Sequence, residues 1–143
     1  MRWRRCLVIL LISCAQLGGC ADFARWLRQY TYPPDFRYIE RDQLRTVMGQ
    51  LAAHVREISQ HIHSPADADQ HRKDIIEHLT GMESAIQTLD KSGWPSNHPL
   101  IDRNLPRFRQ DIRQARLAVE RDPPNYLLTH EVVGACVYCH GAR

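Results

Sequence analysis

At 143 residues and 43% apolar, the chain suffices for one domain with a modest core. Its formal charge of +3 rests on Arg2, Arg4 and Arg5; without residues 1–19 there remain 16 basic and 16 acidic side chains. That balance removes the basic patch a nucleic-acid partner would need, so no nucleic acid is expected.

The first twenty residues, MRWRRCLVILLISCAQLGGC, carry a basic start, an apolar stretch from Cys6 to about Ala15, then small residues. This reads as an export signal, too short and wrongly flanked for a membrane-spanning helix. LGGC, Leu17 to Cys20, resembles the lipobox of bacterial lipoproteins: an apolar residue, two small ones and the Cys that receives lipid. The expectation is a signal over 1–19 with Cys20 lipidated and the chain facing the periplasm. Two alternatives stay open: ordinary cleavage after Ala21 with no anchor, and a box ending at Cys14, which leaves an apolar region of barely seven residues. Ala21 rather than Asp behind the anchor points to outer-membrane delivery.

Residues 20–34 then form a tether. Phe23, Trp26, Leu27 and Tyr30 recur at i, i+3, i+4, i+7, an apolar stripe beside Arg25 and Arg28 that can lie on a bilayer or pack on a neighbouring domain. Tyr32 to Phe36, YPPDF, ends it with extended backbone.

Four amphipathic helices are predicted in the domain 35–143. The first face is Leu44, Met48, Leu51, Val55, Ile58 and Ile62, at alternating steps of three and four. The second opens on Ser64-Pro65-Ala66-Asp67 as cap and first turn, carries Ile75, Leu79, Met82, Ile86 and Leu89, and closes at Gly93. After the loop GWPSNHP the third face is Ile101, Leu105, Phe108, Ile112, Ala115 and Val119, ended by Pro123 and Pro124; Pro106 means a start near Asn104 or a kink. The fourth has Asn125 as cap, then Leu128, Val132 and Cys136. No stretch alternates at period two. The economical packing is all-α, an antiparallel four-helix bundle. Periodicity alone says nothing of a cofactor.

The last helix carries CVYCH, Cys136 to His140. Cys-x-x-Cys-His is the attachment run for c-type haem: on a helix the two thiols share a face and can add to the two vinyl groups of one porphyrin, with His140 as proximal iron ligand. The export signal fits, because such haem is attached outside the cytoplasm. A thioredoxin-like pair would want a strand-to-helix context. A zinc site would want two more ligands at finger-like spacing, and His130 stands ten residues before His140. The cysteines are then accounted for: Cys6 and Cys14 leave with the signal, Cys20 takes lipid, and Cys136 and Cys139 take one covalent haem, with no pair for a disulfide.

Only three residues follow the motif, so any second axial ligand comes from upstream. An exported helical chain with Cys-x-x-Cys-His at the end of its last helix resembles the class II cytochromes c, the cytochrome c′ type and its low-spin relatives. The likeness covers about 35–143 in helix layout, and its specific motif is GACVYCHG. The resemblance implies a haem on the C-terminal helix whose distal side is the first helix. A Met there gives a six-coordinate electron carrier, and a non-ligating residue gives a five-coordinate haem that binds NO or CO. Met48 is the candidate distal ligand and Leu44 the distal residue in the five-coordinate case. The family's Arg-x-x-x-Met spacing, read from Arg41, lands on Arg45 instead, a departure. Arg41, with Arg37 and Arg45 beside it, is a candidate propionate partner.

The resemblance also implies redox partner proteins of the cell envelope and admits a homodimer. No enzyme is expected, since no nucleophile with its base and no paired carboxylates stand out. A haem-free lipoprotein module is the third reading. His54 and His61 on the first helix, and His71 and His78 on the second, flank the apolar faces seven apart; solvated side chains are the ordinary reading, a metal site the other.

Overall fold

The structure, a computed structural model, describes residues 23, 24, 26–28, 30–63, 68–90 and 93–141. Cys20, the signal, Arg25 and Ser64 to Asp67 lie outside them. The chain divides into two units, residues 1–36 and 37–143. In the first, the described residues between 23 and 31 are helical and followed by an irregular Tyr32–Phe36 segment, whose two rings stack with centroids 4.5 Å apart. No helix among the described residues is long and apolar enough to cross a membrane.

The second unit is all-helical: α1 (Arg41–His63), α2 (Ala68–Gln87), α3 (Pro99–Glu120), α4 (Leu127–Gly134) and the single turn α5 (Val137–His140). Among the described residues there is no strand, only one isolated bridge between Arg37 and Ser96. α1 packs on α2, α2 on α3, α3 on α4 and α5, and α1 on α4. Where the helices meet, Ile58 of α1, Ile75, Leu79, Met82 and Ile86 of α2, Ile112 and Val119 of α3 and Val132 of α4 are fully buried. Each such side chain removed from water contributes about 1.5–3 kcal/mol before ordering costs. Burial, rather than helix propensity, holds these elements in place.

The ends differ from expectation in ways with local causes. α2 stops at Gln87, and the turn that follows still buries Leu89 because Thr88 donates its Oγ1 hydrogen back to the Ala85 carbonyl (2.8 Å). Gly93, beyond it, takes a left-handed φ of +67° that favours glycine. α3 starts at Pro99, where a proline without N–H loses nothing, and runs through Pro106 to Glu120. Its last carbonyls, Val119 and Arg121, accept from the Arg72 guanidinium of α2 at 3.0 Å each, as does Glu120, so a cation sits at the negative end of the helix dipole. Asn125 accepts the Leu127 N–H (2.9 Å), one residue ahead of the assigned cap Tyr126.

The expected single last helix is in fact two pieces. Around Ala135 and Cys136 the ladder tightens to i−3 bonds, Ala135 N–H to Val132 O and Tyr138 N–H to Ala135 O, before α5 begins. Gly134, costing a helix about 1 kcal/mol relative to Ala, stands at that joint.

Candidate functional site

The motif sits where α1, α3 and the C-terminal turn converge. Cys136 is exposed and caps α5; Cys139 is half-buried, and His140 is exposed at its surface. α3 fixes this turn from one side. Asn104 donates its Nδ2 hydrogens to the carbonyls of Tyr138 and Leu100 (2.9 Å each), Arg107 lies 4.1 Å over the Tyr138 ring, and the Cys139 thiol reaches the Leu100 carbonyl at 3.7 Å.

Between this turn and α1 lies an open cleft of about 170 Å³, lined by Met48, Leu51 and Val55 of α1, Ile101, Leu105 and Phe108 of α3, and Cys136, Cys139 and His140. A second arm of about 250 Å³ runs past Leu44, Asn97, His98 and Leu100, and the arms share Met48, Ile101, Cys139 and His140. The cleft explains a shift in the α1 face. Val47, not Met48, is its nearly buried residue near the N-terminal end, while Leu44, Met48 and Val55 are half-buried because they border open space.

These residues fit a c-type haem in chemistry. Two thiols three apart and an adjacent imidazole stand on a lining that is otherwise almost wholly apolar. Each arm is smaller than the ~300–1,000 Å³ of pockets that enclose a whole ligand, so neither arm alone would enclose a haem. Burial pushes the Cys139 thiol up; the Asn104 hydrogen bond opposes this and Cys136 adds to it.

Of the sequence candidates, Cys136, Cys139, His140 and Met48 share one cleft, with Leu44 on its second arm. Met82 is fully buried core. Arg41 is exposed at the first residue of α1 and lines neither arm, and Arg45, also exposed, lies 3.6 Å from Asp42. Arg37 is the half-buried member of the three. Its N–H donates to Pro95 O (2.9 Å), and its Nε and Nη1 are screened from water with no hydrogen-bond partner.

Sequence reasoning missed Asn104 and His98. The only signal for His98 was its place beside the helix-starting Pro99. Its loop is pinned: Ser96 donates from N–H and Oγ to the Asp102 carboxylate (2.7 Å each), and Asn97 exchanges two hydrogen bonds with the Ile39 backbone. His98 therefore stands on a rigid loop at the rim of the second arm. Four of the other histidines come together elsewhere, between α1 and α2, with His54 Nδ1 3.2 Å from His78 Nδ1 and His61 Nδ1 3.0 Å from His71 Nδ1. No family model, curated protein or solved structure matches the chain.

Proposed function

We propose that the chain is a lipid-anchored, periplasm-facing monohaem cytochrome of the class II kind, an antiparallel four-helix bundle that carries electrons. The observation behind this reading is the shared lining: Cys136, Cys139 and His140 from the end of the chain meet Met48 from α1 on one apolar cleft. The side-chain pairs support the antiparallel order. His54 faces His78 while His61 faces His71; Arg116 pairs with Glu83 while Arg109 pairs with Asp90; Leu100 and Asn104 meet Cys139 and Tyr138. In each case, as one segment is followed forward its partners run backward along the other. α4 and the terminal turn count as one broken fourth helix.

Haem, when bound, supplies a one-electron iron couple whose potential follows its axial ligands and surroundings. The two thiols would tether it covalently, and a ring nitrogen of His140 would ligate the iron. Leu51, Val55, Leu105 and Phe108 would give the group an apolar wall, and Met48 brings a thioether to the same cleft from α1. Arg37 has its Nε and Nη1 buried without a partner but, like exposed Arg41, lines neither arm, so Arg37 and Arg41 both stay candidates for the propionates. The anchor reading draws support from Phe23, Trp26, Leu27 and Tyr30, which are 47–74% exposed although apolar, with Trp26 5.0 Å from Tyr30.

A second reading, five-coordinate gas binding, is favoured by one observation: Leu44 borders the arm beside Met48 and makes its wall apolar there. Spectra of purified protein decide between the two. The carrier reading expects a low-spin ferric form with a sulfur-to-iron charge-transfer band, and a ferrous form that resists carbon monoxide. Met48→Leu should abolish the band and admit carbon monoxide, while Met82→Leu should leave both unchanged. A low-spin form that survives Met48→Leu would mean a second ligand other than Met48, with His98 on the second arm a candidate to mutate next. A wild type that is high-spin and takes up carbon monoxide readily would overturn the carrier reading in favour of gas binding.

A further inference from the structure

Away from the cleft, α1 and α2 bring four imidazoles into one row. His54 meets His78 with ring centroids 5.5 Å apart, His78 meets His61 at 5.8 Å, and His61 meets His71 at 5.2 Å. Glu57 joins them: one ligand atom each from Glu57, His61 and His78 lie within 4.8 Å of one another. Asp74, steadied by a 2.8 Å hydrogen bond from Gln70, approaches His61 Nδ1 at 3.7 Å. None of these residues lines the cleft. At 3.6 residues per turn, His54 and His61 lie about 120–140° round α1 from Met48.

Solvated histidines would spread apart, because imidazoles gain little from one another in water. Here Nδ1 atoms face each other at 3.0 and 3.2 Å, and the contact can serve as a hydrogen bond only if the two rings hold opposite tautomers. His71 adds a second sign, since its Nε2 is screened from water with no hydrogen-bond partner. A buried polar atom left in that state needs an explanation beyond packing. Room has also been left for the cluster: a Cβ on Gly81 would stand 2.5 Å from Cε1 of His54, so that ring lies against α2 only because residue 81 is glycine.

We propose that α1 and α2 form a site for one divalent late transition-metal ion of the zinc or copper class. His61, His78 and Glu57, whose ligand atoms already lie together, are its primary ligands, and His71, with its unpartnered Nε2, would complete the fourth position by a side-chain movement. Imidazole with one carboxylate suits these ions and does not suit calcium or magnesium, which take oxygen. Asp74 orients His61, and His54 backs His78, as outer partners commonly do at metal sites. Because the ligands come from both helices, the ion would cross-link α1 to α2.

The test uses mature protein with its haem motif intact, stripped by a chelator. Competition titration with Zn²⁺ alone and Cu²⁺ alone should give one tight equivalent per chain. His61→Ala with His78→Ala should weaken it by about 100-fold or more, by analogy with the 10–100-fold lost when only outer partners are removed. His130→Ala, on α4, should leave it unchanged. The thermal midpoint should rise with metal in the wild type and not in the double variant. Should the double variant fail to fold, electron paramagnetic resonance of Cu²⁺-loaded wild type decides instead, with hyperfine structure from at least three nitrogens expected. Equal affinity in wild type and double variant, no tight equivalent at all, or a copper signal with fewer than three nitrogens would overturn the proposal.

Discussion

Met48 and Met82 show how one residue type takes two roles on neighbouring helices. Met82 is fully buried, so its thioether is surrounded by core, whereas Met48 is half-buried because one side of it faces open space. Spacing put both on apolar faces and could not separate them, since the open volume depends on where the C-terminal turn docks. A second residue-scale case is Gly81. Glycine to alanine within a helix ordinarily gains about 1 kcal/mol. Here the new methyl would collide with the far end of the His54 side chain, 2.5 Å away, and the ring can swing aside at a cost in contacts. Burial, and after it His78, holds the His54 imidazole below its ordinary value, with Glu77 acting in the opposite sense. Gly81→Ala should therefore change stability by less than about 1 kcal/mol. Histidine ring NMR signals should shift at His54 and His78 and stay put at His98 and His130.

α2 was the most legible element: Ile75, Leu79, Met82, Ile86 and Leu89, all placed on one face by their spacing, are all fully buried. α3 follows the same pattern, with Phe108 only half-buried where it borders the cleft. The fourth segment read less well. Its expected stripe of Leu128, Val132 and Cys136 has one buried member, while Thr129 and Ala135 are buried beside it. A short helix that breaks at Gly134–Ala135 changes its facing at the break, and periodicity counted across the joint points the wrong way. What sets the facing is α3, through Asn104 and Arg107, and no local pattern announces such tertiary anchors. Asn104→Ala should cost about 1 kcal/mol, the net worth of the hydrogen bonds lost. Its larger effect should be local: amide exchange over Tyr138–Gly141 should quicken several-fold while that of Leu79 and Met82 stays near wild type. Uniform quickening across α2 and α3 would instead mean that Asn104 supports the whole core.

For the whole molecule, the sequence carried the motif and the helical class, and the structure added that the residues of the motif open on an apolar cleft reached from α1. The arginines near the start of α1 were less legible. Three arginines spaced four apart look alike in sequence, and only the fold distinguishes half-buried Arg37 from exposed Arg41 and Arg45. The four histidines stood out in sequence as two pairs seven apart, read there as solvated in the ordinary case, and the sequence could not say that the pairs face one another. Attachment to the membrane is argued from LGGC and the exposed aromatic stripe that follows it. Cys20→Ser should move the protein from the membrane fraction to the soluble one, and the wild-type N-terminal peptide should carry acyl chains. An unmodified N-terminus at Asp22 would mean ordinary cleavage and a soluble cytochrome. The account as a whole stands on Cys136 and Cys139 as covalent haem tethers. The most direct measurement is the intact mass of denatured protein, made together with the haem-maturation machinery and extracted with acid–acetone. The account predicts the mature chain plus one haem, and the bare chain for Cys136→Ala with Cys139→Ala; a bare chain from the wild type would contradict it.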